Sequence, residues 1–406
     1  MKTVYLDHNA TTPIDAEVAE VMYQVHREGP VNPASPHAPG RHARKRLEDD
    51  RSRIAELLGA DTSASGSARV LFTSGGTESN NLALFGLVMF GRTCSPPTGN
   101  LVVSSLEHPS VREVALHLQR LGMEVRWLPA LASGEINAAA AAGLIDEQTR
   151  LVSVMSANNE TGVVQPIDRL VEPCQRLKVP LHTDAVQAVG KVPVDFQRLG
   201  VASLSASAHK FHGPRGIGLL VLQKQLDFWP LMYGGQQQLG YRPGTESVAL
   251  VAGMCRALEI AVEKLEQNTR KMARARDQLQ SLLQADHPEM VVNGSLADSR
   301  LPHTLNVSFP GLNRQALLMA LDQQGVACST GSACASGSSE PSPVLIAMGC
   351  PRPVVDGSLR ISVGRQTTDA EVQFAAQIFR DVVSRLRRSS GQMAGIASRD
   401  SGPDPV

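Results

Sequence analysis

At 406 residues the chain exceeds the ~250 to 300 residues at which single cores stop growing, so two domains are expected, and 42% hydrophobic with 19% charged residues excludes a disordered or fibrous chain. Lys plus Arg and Asp plus Glu balance at 39 each, which leaves no net field to draw in nucleic acid or an anionic membrane and favours a small-molecule substrate. Six cysteines without a CxxC pair exclude a secreted disulfide scaffold and a zinc module, and point to a reducing compartment.

The opening MKTVYLDHNATTP turns polar at Asp7, before a signal-peptide stretch can form, and no apolar run approaches the ~18 residues of a membrane span, so a cytoplasmic protein is expected. After a small polar loop at Asp61 to Ala68, short Val, Ile and Leu runs alternate with helical patterns through about residue 260, which predicts an α/β fold with a mostly parallel sheet covered by helices. Strands are predicted at Val70–Thr73, Leu101–Ser104, Leu151–Met155, Val179–Thr183, Leu204–Ser207 and Gly218–Leu222, with polar clusters after several of them. Ligands of open α/β sheets bind at the carboxyl ends of strands, so those clusters mark where chemistry is expected. A helical period persists from about Val251 to Gln284 and carries the chain across a domain junction. Thr368 and Glu371 have capping-box spacing before a last helix with the stripe Ala375, Phe379, Val382 and Leu386. Beyond Arg388 the Ser, Gly and Pro content predicts disorder.

Three motifs carry chemistry. In LFTSGGTES (Leu71 to Ser79) a strand runs through Gly75, Gly76 and Thr77 into a helix whose free N–H groups and dipole suit a phosphate. Alone, such a segment is more often a plain strand-to-helix turn. HTDAVQ places Asp184 and Gln187 at a strand end, where a buried carboxylate needs a cationic or hydrogen-bonding partner, such as a protonated pyridine nitrogen. SASAHKFHGPRG holds Lys210 between His209 and Phe211, where partial desolvation suits a Schiff-base amine, although alone it is more often a solvated lysine. Together they supply the phosphate, ring-nitrogen and amine anchors that pyridoxal 5'-phosphate requires.

With these motifs, YLDHNATTP, NPASPH, EHPSV, ANNETG, RPGTE, STGSACASGSSEPS and LRISVGR, the sequence resembles the class V aminotransferase family of fold type I, and within it the cysteine desulfurases that feed iron–sulfur cluster assembly. The resemblance runs from Tyr5 to about Leu386. It implies a large cofactor-binding domain over 16–260 with a seven-stranded sheet, a smaller α+β domain from 1–15 and 261–388, and a disordered tail over 389–406. It also implies that Lys210 carries the cofactor and moves the Cα proton, that Asp184 pairs with the ring nitrogen, and that Gln187 meets the ring oxygen. His108 would stack on the ring and join in proton transfer. Gly76, Thr77, Ser207 and His209 would hold the phosphate, with Thr245 arriving from the partner subunit of a homodimer. Asn159 would lie beside the ring, and Asn32, Asn159 and Arg360 would bind the substrate L-cysteine.

The Gly/Ser-rich loop at about 327–343 holds Cys334, whose thiolate the family uses to take sulfur as a persulfide for an iron–sulfur scaffold or another sulfur acceptor protein. The chain has STGSAC where the family more often has SSGSAC, which keeps the hydroxyl. Cys328 is left open: by the SGSAC pattern it is not the nucleophile, yet it stands close enough in sequence to resolve a persulfide or pair with Cys334. Cys94, Cys174, Cys255 and Cys350 are expected to be inert buried thiols. His26, His42, His117, His287 and His303 lack ligand spacing and are expected at the surface or as caps; no metal site is expected. An aminotransferase or selenocysteine lyase on the same fold, or a sulfur-carrier platform, would be the alternatives.

Overall fold

A computed structural model describes residues 3–29, 32–63, 65–89, 99–226, 228–297, 299–331 and 340–397. Cys94, Cys334 and the end of the tail lie outside the described residues.

Twelve strands are described: β1 (Val4–Tyr5), β2 (Ala68–Thr73), β3 (Asn100–Ser104), β4 (Glu124–Leu128), β5 (Thr149–Ser153), β6 (Leu181–Asp184), β7 (Ser203–Ser207), β8 (Gly218–Gln223), β9 (Val291–Asn293), β10 (Thr304–Ser308), β11 (Val326–Ala327) and β12 (Ser358–Ser362). Seven of them form one sheet in the order β2-β8-β7-β6-β5-β3-β4, in which only β8 pairs antiparallel with its neighbours. The six strands expected from sequence are present within a few residues. The unanticipated β4 is the edge strand EVRWL, where Glu124 and Arg126 pair with each other on the open side and break up the apolar signal.

Alternate residues of these strands feed two apolar layers, because successive side chains point to opposite faces. Leu101, Val103, Leu151 and Leu220 meet the helices Gly76–Val88 and Pro109–Arg120, while Val102, Val152, Leu204 and Val221 meet Ile54, Leu170, Met254 and Leu258. The sheet is thus covered on both faces, as parallel strands require. Polar residues gather at its carboxyl ends.

The long helical period breaks at Lys264 into Val248–Glu263 and Leu265–Asp286. The first helix is buried with the large sheet; the second turns Met272, Leu279 and Leu283 into a separate cluster with Leu305, Val307, Phe309, Leu317 and Phe379. That cluster surrounds the sheet β12-β10-β9, and Val4 and Leu6 join it through the parallel pair β1-β11. Among the described residues no helix is long and apolar enough to cross a membrane.

Two expectations are corrected. The last helix runs Asp369–Ala397, past the expected end at Arg388, because extending a formed helix needs no new nucleus and its isolated glycines cost only about 1 kcal/mol each. His287 and His303 are buried, not surface residues. His287 packs edge-on against Phe309 at 5.5 Å, and His303 lines a small cavity with His8, Lys191 and Met272; burial pushes both imidazoles down, so they are accommodated neutral.

Candidate active site

The strand ends deliver their polar residues into one cavity of about 200 Å³. From β2 the chain enters the helix Gly76–Val88, whose first residues Gly76 and Thr77 line the cavity. A Cβ on Gly76 would stand 2.7 Å from Val186 Cγ2, so the helix start is packed tightly under the segment that follows β6. After β3, His108 caps the helix Pro109–Arg120 by accepting at Nδ1 from Ser110 N at 3.1 Å. After β6 and β7 come Asp184 to Gln187 and Ser207 to Lys210.

Asp184 is 4% exposed, with Oδ1 accepting from Val186 N at 2.9 Å and Oδ2 from Asn80 Nδ2 at 2.7 Å. Lys210 follows a short 3₁₀ turn at Ala208–Lys210, and its Nζ donates to Asn9 O at 2.5 Å and Ala10 O at 2.8 Å. Behind it the buried Lys191 Nζ donates to Lys210 O at 3.0 Å, and burial together with the Lys210 charge lowers Lys191 to about 7. Burial likewise lowers His209 to about 4, helped by Lys210, Lys191 and Arg215, so it faces the cavity as a neutral imidazole. His108 is lowered by burial, with Asp184 opposing and Lys210 and Arg360 adding to the effect.

Arg360 on β12 closes the cavity from the second cluster's sheet. It is 1% exposed and held through both Nη atoms: Nη2 donates to Asp7 Oδ1 at 2.7 Å, and Nη1 to Gly331 O at 2.7 Å and Asn159 O at 3.2 Å, while Nε is buried with no partner among the described residues. Ser329 pairs through its backbone with Arg360, and buried Glu160 accepts from Ser342 Oγ at 2.6 Å. Both ends of the Cys334 segment are therefore fastened beside the cavity.

The structure brings Gly76, Thr77, His108, Asn159, Asp184, Gln187, Ser207, His209, Lys210 and Arg360 around one space. Asn32 and Thr245 do not join them: both are exposed, and Asn32 Oδ1 is taken up by Ala34 N at 2.9 Å in a local turn. Asn9, Ala10, Asn80, Ser110, Met155 and Val186 also line the cavity and were not singled out from sequence, although Asn9, Ala10 and Ser110 lie inside the YLDHNATTP and EHPSV motifs. Cys174 and Cys255 are buried, with thiols pushed up to about 12. Burial raises partly buried Cys328 to about 12 as well, which keeps it protonated and argues against a reactive thiolate there.

Residues 4–374 match the family model for aminotransferase class V. An IscS-like cysteine desulfurase of Mycobacterium tuberculosis is 41% identical over 398 residues, 97% of this chain and 100% of the relative. The cysteine desulfurase IscS of Dictyoglomus turgidum is 37% identical over 96% of each chain. A solved NifS-like protein superposes with a TM-score of 0.85 at 33% identity, covering 95% of this chain and 100% of its own. The chain therefore belongs to the class V aminotransferase family and, within it, to the cysteine desulfurases.

Proposed function

We propose that the cavity holds pyridoxal 5'-phosphate and that the protein converts L-cysteine to L-alanine, passing the sulfur to Cys334 as a persulfide. The observation that carries this reading is the convergence of a buried carboxylate, a lysine amine and a buried arginine on one cavity at the carboxyl ends of the sheet. The residues present fit the cofactor. Ser207 Oγ is buried there without a partner among the described residues, as expected of a hydroxyl that completes its hydrogen bonds on a ligand.

When bound, pyridoxal phosphate supplies an electron sink for charge released at the Cα of an amino acid. Asp184, held by Asn80 and Val186, would keep the ring nitrogen protonated. The amide groups at the start of the Gly76 helix would hold the phosphate with Thr77, Ser207 and His209, and Thr245 would reach it from a second copy of the chain. Gln187, which already donates to Asn9 O at 3.1 Å, would give its second amide hydrogen to the ring oxygen. Lys210 would carry the cofactor and, once freed, accept the Cα proton at Nζ; His108 would cover the ring face. Arg360 and Asn159 would bind the substrate carboxylate, with Asp7 keeping the guanidinium in plane. The Cys334 thiolate would then attack the substrate Sγ, so that the S–S bond forms as the Cβ–Sγ bond breaks, and the electron pair left on the Cβ side would take up a proton on the way to alanine. A homodimer in the cytoplasm that hands sulfur to an iron–sulfur scaffold or another acceptor protein completes the reading.

Purified protein reconstituted with cofactor and given L-cysteine and a reductant, with no keto acid, is expected to form alanine and sulfide in equal amounts. Cys334→Ala should keep the cofactor's visible band and lose alanine formation. A requirement for keto acid, or full turnover by Cys334→Ala, would contradict the proposal.

A further inference from the structure

Behind the cavity, Asn80 links two of the groups that would face the cofactor. It is 1% exposed, in the second turn of the helix Gly76–Val88. Its Nδ2 lies 2.7 Å from Asp184 Oδ2 and 2.9 Å from Ser110 Oγ, and its Oδ1 lies 3.2 Å from His182 Nε2. His182 Nδ1 is 2.8 Å from Ser203 Oγ, and Ser110 Oγ is 2.8 Å from His108 Nδ1.

Elementary hydrogen-bond chemistry fixes every proton along this chain. A carboxylate only accepts, so ionised Asp184 turns the Asn80 NH₂ toward itself and Oδ1 toward His182. The carbonyl can only accept, so His182 must present Nε2–H; as a fully buried neutral imidazole it then accepts at Nδ1 from the Ser203 hydroxyl. On the other branch, Ser110 Oγ receives the second Asn80 hydrogen and gives its own to His108 Nδ1. The Ser110 backbone N–H also points at that nitrogen, 3.1 Å away. With two donors converging on Nδ1, the ring hydrogen of His108 belongs on Nε2.

We infer that Asn80 is a positioning residue that couples Asp184 to His108 and holds His108 as the neutral Nε2–H tautomer while Asp184 is ionised. The inference deepens the proposed function and rests on it for the cofactor's place beside these two residues. Its consequence is that His108 carries its ring hydrogen on Nε2 and is not a base at that nitrogen: a proton enters the ring only at Nδ1, after Ser110 has let go. The charged groups that face His108 are Asp184, which favours a cation, and Lys210 and Arg360, which oppose it. Asp184 belongs to the hydrogen-bonded chain through Asn80.

Holoenzyme labelled with ¹⁵N-histidine, followed by two-bond ¹H–¹⁵N NMR between pH 6 and 9, reads the tautomers directly. His108 and His182 are expected to stay neutral with hydrogen on Nε2; hydrogen on His108 Nδ1, or a cation in that range, overturns the inference. Asn80→Asp, of the same shape, sets a second acceptor against Asp184. It should raise the pH midpoint of the cofactor's visible band by about 1 unit or more and change the His108 nitrogen shifts, whereas a packing role would move neither. Should that variant fail to fold, Ser110→Ala removes only the branch to His108 and should let its cation appear on going to pH 6; unchanged nitrogen shifts contradict the coupling. Wild-type protein with no visible band would sink the proposed function, while the histidine nitrogens would still decide this point.

Discussion

Glu107 precedes His108 in sequence but faces away from the cavity and into the core. Its Oε1 accepts from Ser104 Oγ and Met155 N, both at 2.7 Å, while Oε2 is buried with no partner among the described residues. Burial raises its pKa to about 8, with Asp184 pushing the same way. Between the unfolded value of about 4.3 and this folded value, the native state holds a proton that the unfolded chain has lost, so stability falls as pH rises toward 8 and levels off beyond. Glu107→Gln keeps the Oε1 acceptor and cannot ionise. Its unfolding free energy, measured by denaturant titration, should gain about 2–4 kcal/mol over the parent between pH 5 and pH 8; parallel pH curves would contradict the assignment. At this scale the sequence was readable where a residue's chemistry is rare in its setting: a lysine in a His-rich turn, a carboxylate ending an apolar strand. Asn80 and Ser110 gave no such sign, because their role lies in a hydrogen-bond chain that reaches His182 and Asp184 only in the folded chain.

Elements were legible in proportion to the clarity of their local signals. The box read from Thr368 and Glu371 is present in both directions: Glu371 Oε2 accepts from Thr368 N at 2.9 Å, and Thr368 Oγ1 accepts from Glu371 N at 3.3 Å. Thr368→Ala should therefore cost about 1 kcal/mol in unfolding free energy, with no change in cofactor binding. A neutral effect would mean that packing of Val372, Phe379 and Val383 alone sets where the helix starts. The helical period across Lys264 could not reveal its break, since both halves carry apolar residues at helical spacing and only the burial of each half in a different cluster separates them. The edge strand β4 was missed for the opposite reason, a polar outer face within five residues.

For the whole molecule, composition and strand-helix alternation led to the doubly covered sheet, and the order of its strands placed the site. The proposed reach of one copy into another is not readable from periodicity, and rests on the family resemblance of RPGTE. One surface supports it: Leu231, Met232, Tyr233 and Leu239 are exposed in the segment leading to Thr245, with Tyr233 at 77% and Leu239 at 74%. Arg242, in the same segment, pairs with Glu78 at 2.8 Å, which ties this surface to the start of the Gly76 helix. Sedimentation equilibrium should give twice the 43.4 kDa of the chain; a fully active monomer would remove the need for Thr245 from a partner.

The central claim is that this cavity holds pyridoxal phosphate through Lys210, and the geometry offers one competitor, the buried Lys191 with its amine lowered to about 7. Borohydride reduction of the reconstituted protein, followed by peptide mass mapping, decides between them. The account predicts the reduced cofactor on Lys210 alone, with the visible band lost on reduction. Cofactor on Lys191, or no covalent attachment at all, would contradict it.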